Sequence, residues 1–569
     1  MSASLPPQLQ VVFCWHMHQP YYKGPGKSDY QLPWVYLHGI KDYADMAAHL
    51  ENNPDAKAVV NFAPVLLEQL DDYVQQLEAW LDRGNLIRDP LLAALAGPGL
   101  PVDTVSRREI IHACLRANEH RLIHRFRHFE ELAKMARHAL EHPVTLPYLN
   151  DQFLVDLLVW YHLAWMGECT RINDLRIRSL QAKGNGFDND DRRRLIELTW
   201  ELLSTLTPRY TALAKRGQVE LSVTPYAHPI IPLMIDMQSA KEALPSIGMP
   251  ELEIYPGGEA RSRWHIRKGI EVFEKHFGFR PRGCWPAEGG VSEPTVKMLE
   301  EEGFKWAASG QQVLSNSLMA SNKEGHLSEN WVHTPYRLQE GRLNLFFRDD
   351  GLSDLIGFTY GEWHADDAVG DLINHLVNIA EASKDNPQAV VSVIMDGENA
   401  WEYYPNNGSY FLDAMYERIA EHPRLKLTTF SEAQKRSRRL APKLNRLVAG
   451  SWVYGTFTTW IGDKDKNRAW DLLGQAKKDY DQALATHNYS VEKLEVLERQ
   501  LAICEGSDWF WWFGDYNPGA TVSDFEKLFR HQLSYLYELL EIPKPEHLSH
   551  VFAVGSGDPS LGGVMIKND

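Results

Sequence analysis

The sequence predicts an α/β protein built on a parallel sheet, wound either as an α/β barrel or as a doubly wound open sheet. Three observations carry this. Short β-rich runs recur along the chain, each ending at a polar or Gly/Pro cluster. Several runs are continuously apolar rather than alternating, as strands covered on both faces are. Helical patterns separate some of them, and strands alternating with helices build parallel sheets.

In chain order the runs are "LQVVFCW" (9–15), "KAVVNF" (57–62), "VELSV" (219–223), "RGCW" (282–285), "KWAAS" (305–309), "LNLFF" (343–347) and "AVVSVIM" (389–395). The intervening "SEPTVKMLEEEG" reads as a helix with Ser292 as N-cap and Gly303 as its stop. Two regions break the alternation. Residues from about 65 to 217 read as mostly helix, an insertion after the second run. Residues from about 465 to 543 are helical again. Here "SVEKLEVLERQLAIC" has apolar residues at helical spacing, and Ser523 and Glu526 form a capping box at the head of "SDFEKLFRHQLSYLYELL". The division expected is a catalytic part over 1–435, carrying the insertion, and a C-terminal helical part over 436–569 that adds aromatics to the cleft. The Gly-rich tail "GSGDPSLGGVMIKND" is expected to fray or lie on the surface.

The chain has 569 residues, 44% hydrophobic and 24% charged, the balance of a soluble globular protein. Its formal net charge of −17 argues against nucleic-acid or anionic-membrane partners. No stretch approaches the length of a transmembrane helix. The five cysteines are dispersed without a CxxC pair, and "MSASLPPQLQ" lacks the basic and apolar regions of a signal peptide. A cytoplasmic protein is expected; oligomeric state is not legible. Tryptophan is abundant, at 18 residues, and sits beside polar groups in clusters such as "GCWPAEGG", "GENAWEYYP" and "SDWFWWFGDY". A flat apolar face next to hydrogen-bonding groups suits a sugar ring, as core packing also uses Trp.

Parallel barrels place chemistry at the C-terminal ends of strands. After the first run, His16 and His18 alternate and so face the same side. They are a divalent-metal site completed by His228 and Asp396, a hydrogen-bonding pair in a ligand pocket, or structural histidines. After the fourth run, Glu288 lies between Trp285 and the pair Gly289–Gly290, glycines that would let a ligand approach the backbone. After the seventh run, Asp396 is the first polar residue, followed by Glu398 and by Trp401, Tyr403 and Tyr404 as candidate cleft walls. Glu288 and Asp396 together are the pair that glycoside hydrolysis needs, one nucleophile and one acid/base. "SWVYGTFTTWIGDKDK" adds Trp452, Trp460 and Asp463, the last equally readable as an N-cap; Arg348, Asp349 and Asp354 either orient the acids or form an ion pair.

The order of these motifs resembles glycoside hydrolase family 57, a family of α-glucan-active enzymes. Its five short regions match His18-Gln19-Pro20, His228 in "YAHPIIPLM", Glu288 in "CWPAEGG", Asp396 in "MDGENAWEYYP", and "SWVYGTFTTWIGDKD". "SDWFWWFGDYNPG" is similar to the amylopullulanase-like branch. The resemblance implies a (β/α)7 barrel, an incomplete TIM-like barrel, followed by helices, and a retaining mechanism with no metal and no cofactor. Glu288 would be the nucleophile and Asp396 the acid/base. His16, His18, Gln19, His228, Trp285, Glu398, Trp401, Trp452, Trp460 and Asp463 would contact sugar. The expected activity is hydrolysis of α-1,4-linked, and optionally α-1,6-linked, glucans such as maltooligosaccharides. The alternatives are a 4-α-glucanotransferase or branching enzyme using the same site, and, from another class, a divalent-metal hydrolase or deacetylase using His16, His18 and His228.

Overall fold

The computed structural model describes residues 8–26, 29–97, 99–321, 331–437 and 441–557. The tail beyond 557 lies outside these. Each β-rich run forms a strand, with ends shifted by a residue or two: β1 (Leu9–Met17), β2 (Ala58–Phe62), β3 (Val219–Val223), β4 (Gly283–Cys284), β5 (Trp306–Ser309), β6 (Asn344–Phe347) and β7 (Val390–Asp396). A short β8 (Leu425–Leu427) pairs with the start of β1. The sheet order is β6-β5-β4-β3-β2-β1-β7, with every neighbour parallel.

Among the described residues no ladder joins β6 to β7, so the barrel is incomplete. Two bonds span that gap: Asp349 N donates to Ser392 O at 2.8 Å and Arg348 Nε to Ile394 O at 2.9 Å. The fold is thus the (β/α)7 incomplete barrel, with helices around and after it.

All nine residues of β1 are buried, which its unbroken apolar run predicts for a sheet covered on both faces. Strand parity sorts them. Val11, Phe13, Trp15 and Met17 join the large cluster under the surrounding helices, whereas Val12 and Cys14 join a small inner cluster with Val59, Trp285 and Ile394. Because side chains alternate, His16 continues the inner row of β1, Asn61 that of β2 and Asp396 that of β7. Register aligns them: His16 pairs with Asn61 on one side and Asp396 on the other, and Asn61 pairs with Ser222 of β3. One layer at the strand tops therefore carries Ser222, Asn61, His16 and Asp396 side by side.

Helices from Pro64–Arg83 to Asn189–Lys215 fill the interval between β2 and β3. Ser292 caps the helix Glu293–Glu301, accepting from Thr295 N, and Gly303 follows with φ +96°. The capping box at Ser523 is not formed. That helix runs Gly519–Leu540 behind Pro518, so Ser523 and Glu526 lie inside it. Glu526 instead pairs with Arg530 at 2.6 Å and accepts from Phe552 N.

The C-terminal helices are riveted to the barrel by a buried acid. Glu505 receives a two-pronged Arg261 guanidinium, His265 Nε2 at 2.8 Å and the Tyr255 hydroxyl at 2.6 Å. Burial pushes this carboxyl up, but Arg261 and His265 outweigh it and hold it down to about 2. Two residues further on, Ser507 and Asp508 reach the strand tops. No helix among the described residues is long and apolar enough to cross a membrane.

Candidate active site

A cavity of about 580 Å³ opens above the strand tops. Of the expected residues, Glu288, Asp354, Asp396 and Glu398 supply carboxylates to it; His16, His18, Gln19 and Trp452 also line it. Arg348, Tyr454, Asp508, Trp511 and Trp512 complete much of the wall.

Glu288 follows β4 in a tight turn and sits in the left-handed region, φ +58°. A non-glycine residue there stores strain, which such sites hold only when neighbours over-determine the backbone. Trp452 does so twice: its N–H donates to Glu288 O at 3.0 Å and its Nε1–H to Glu288 Oε2 at 2.9 Å. The glycine after Glu288 serves the turn rather than a ligand. Gly289 has φ +60°, and a Cβ there would meet the Trp285 ring at 2.8 Å. Burial, then the charges of Asp396 and Asp508, push the Glu288 carboxyl well up, and the Trp452 bond pulls part of the way back.

Asp396 ends β7, and its Oδ2 accepts from Asn399 Nδ2 at 2.8 Å. Burial raises its pKa; Asn399 and the nearby His18 and Arg348 oppose that. Gln19 Nε2 donates to Glu398 Oε1 at 3.1 Å, and burial with the charges of Asp396 and Asp42 pushes Glu398 well up. Burial thus opposes ionisation of Glu288, Asp396 and Glu398 alike, and the charge of Asp396 adds to it at Glu288 and Glu398.

The histidines form a stack beside this group. His18 lies face to face with His228, ring centres 3.8 Å apart at 15°, and His16 Nε2 meets His228 Nε2 at 3.1 Å. Asn61 meets His16 Nδ1 at 2.8 Å through its side-chain amide, which also contacts the Thr224 and Ser222 hydroxyls. The chain of ring contacts continues from His16 Nε2 to His228 Nε2, and from His228 Nδ1 to Ser507 Oγ at 2.8 Å. Burial, followed by charge on His18, pushes His16 down to about 3 and His228 well down, so both are neutral at neutral pH. His18 Nε2 pairs with Asp508 Oδ1 at 2.8 Å.

The three histidines bring ring nitrogens within 4.8 Å of one another. A metal binds imidazole in the ring plane, and two near-parallel rings stacked at 3.8 Å direct their lone pairs side by side rather than to one centre. This geometry suits ordered hydrogen bonding better than ligation.

Other expected sugar contacts lie behind the wall. His228 is 1% exposed beneath His18, held at φ +59° with Ser507 N donating to its carbonyl. Trp285 is fully buried against Trp452, ring centres 5.2 Å apart. Trp401 is buried edge-on to Trp15, its Nε1 donating to Gly397 O; Tyr404 is buried with it. Trp460 is buried behind Trp511, the ring that does line the cavity. Asp463 caps the helix Lys464–Thr486 through Asp465 N. Arg348 ion-pairs with Asp350 and Asp354 and lies over the Trp452 ring; Asp349 pairs with His333.

Sequence reasoning missed Asn61, Asn399, Ser507 and Asp508. Asn61 was findable, as the only polar inner-row residue at the end of "AVVNF". Asp508 lay inside an aromatic cluster already noted, but nothing local marks it as the partner of His18, 490 positions away.

The profile of Glycosyl hydrolase family 57 matches residues 12–444. No curated protein matches the sequence. Among solved structures, the chain is similar to a family 57 branching enzyme from Pyrococcus horikoshii (16% identity, TM-score 0.55, covering 98% of this chain and 99% of that one). It is also similar to a branching enzyme from Thermococcus kodakaraensis (15%, TM-score 0.54, 93% and 89%) and to an alpha-amylase from Thermotoga maritima (14%, TM-score 0.53, 94% and 97%).

Proposed function

Because the chain belongs to glycosyl hydrolase family 57, we propose that it is a retaining enzyme of α-1,4-linked glucans, with Glu288 as nucleophile and Asp396 as acid/base. The observation that carries this is the pairing itself. Two partly exposed carboxyls face one cavity walled in part by Trp452 and Trp511. One protonated and one ionised carboxyl at a single cavity is what the acid and nucleophile roles require. What supports an α-glucan as substrate is the family and the activities named for the similar structures, a branching enzyme and an alpha-amylase.

In the first step the ionised Glu288, aligned by the Trp452 N–H, attacks the anomeric carbon as the glycosidic bond breaks. Asp396 gives its proton to the departing oxygen. In the second step Asp396, now ionised beside Asn399 and Arg348, takes a proton from water, which displaces Glu288. His18 lines the cavity beside the carboxyls, and the partly exposed Trp511 offers a ring to sugars. Since Ser507, Asp508 and Trp511 come from the C-terminal helices, we read 1–435 and 436–569 as two parts of one site. Maltoheptaose digestion tests this: reducing ends rise in hydrolysis. Constant reducing ends with redistributed chain lengths would assign transfer instead.

A further inference from the structure

A second cluster of ligand-type side chains lies outside the cavity. Asp45 and His49 sit one turn apart on the helix Ala44–Asn52, and Cys169 is in the first turn of the helix Glu168–Asn173. A carboxylate oxygen, a ring nitrogen and the Cys169 sulfur all lie within 4.8 Å of one another. Asp45 and His49 are buried, and Cys169 is partly so.

His49 Nδ1 is taken by Asp413 Oδ1 at 2.7 Å. This leaves Nε2 as the lone pair on a fully buried ring, and it has no partner among the described residues. Buried polar atoms without partners are rare and require a reason. Carboxylate-backed histidine is the arrangement that orients a metal-ligating imidazole and raises its basicity.

Asp45 is placed with equal care. Its oxygens accept from Glu168 N at 2.6 Å, Cys169 N at 3.0 Å and Asn407 Nδ2 at 3.1 Å. A carboxylate has about four lone-pair sites, so one remains, with the Cys169 sulfur within 4.8 Å of this carboxylate. Gly167 is needed for the approach, because a Cβ there would meet Asp45 Oδ1 at 2.4 Å.

We propose that Asp45, His49 and Cys169 bind a divalent transition metal of the zinc type, with solvent as fourth ligand, as a structural staple. Sulfur, nitrogen and oxygen donors in one tetrahedral set suit zinc. Binding replaces the thiol proton: the S–H bond breaks, the metal–sulfur bond forms, and the proton leaves to buffer. No electron is transferred. The staple joins the helical insertion, through Cys169, to the helix Ser409–Glu421 and the Asn407 turn that follow the Asp396 strand. It does not depend on the glycosidase reading.

The test uses the full chain, stripped with chelator and titrated with cobalt(II), then zinc(II). The expected result is one cobalt per chain with a thiolate-to-cobalt charge-transfer band, displaced by zinc. Cys169→Ser removes the band, Asp413→Asn weakens binding by about ten- to a hundredfold, and His49→Gln weakens it at least as much. The histidine stack contains no sulfur, so it cannot produce this band. Absence of the band, or a band that survives Cys169→Ser, overturns the proposal.

Discussion

Replacing Trp452 by Phe removes one bond and little else. The indole N–H that donates to Glu288 Oε2 at 2.9 Å is lost. The backbone N–H to Glu288 O remains, and the Phe ring still packs on Trp285. A hydrogen bond to a charged group contributes about 1.5–3 kcal/mol. At about 1.4 kcal/mol per decade, kcat/KM on maltooligosaccharides should fall about 10- to 100-fold. The same bond favours the ionised carboxylate, so its loss raises the pKa of Glu288. The nucleophile must be ionised, hence the acid limb of the kcat/KM profile moves to higher pH. The assay is reducing-sugar release across pH with purified wild type and variant. Activity within twofold of wild type and an unmoved acid limb would refute the view that Trp452 tunes Glu288.

Glu288→Gln and Asp396→Asn should each cut activity on α-1,4-glucan by several orders of magnitude with circular dichroism and melting little changed; near-wild-type activity in either removes its role. Asp508→Asn takes the charge from the partner of His18 and should lower kcat/KM by about tenfold or more, chiefly through kcat; a loss confined to stability would mean that Asp508 is only structural. Glu505→Gln strands a buried Arg261 and should destabilise the chain by about 3–5 kcal/mol in denaturant titration. The Glu505 pKa is depressed from 4.5 to about 2, so its contribution is full above 4.5 and lost as pH falls towards 2. The variant should lack that part of the acid destabilisation, and identical pH dependence would contradict the assignment.

Much of the fold was legible because several strands, such as those carrying "VVFCW" and "AVV", are apolar runs, and such runs read the same in isolation as in a buried sheet. The catalytic candidates were legible for a related reason: Asp396 is the first polar residue after β7, and parity places it on the inner row with His16. The aromatics were misread in part. Trp285, Trp401 and Trp460 stand beside polar residues in sequence, yet partners distant in the chain cover all three, while Trp452 and Trp511 are the partly exposed rings on the wall. Adjacency to polar groups does not decide which side of a wall a ring occupies. The supporting residues were illegible for the opposite reason. Asn61, Asn399, Ser507 and Asp508 are single polar residues, and their meaning arises only when register or a packed helix brings them to His16, Asp396, His228 and His18.

The central claim is that Glu288 becomes covalently glycosylated. Asp396→Asn incubated with a maltosyl fluoride tests it most directly, because fluoride leaves without an acid and the missing base stalls release of the sugar. Mass spectrometry of the digested variant should find the maltosyl adduct on the peptide carrying Glu288. An adduct on another carboxylate, or none while fluoride is steadily released with inversion at the anomeric carbon, would contradict it.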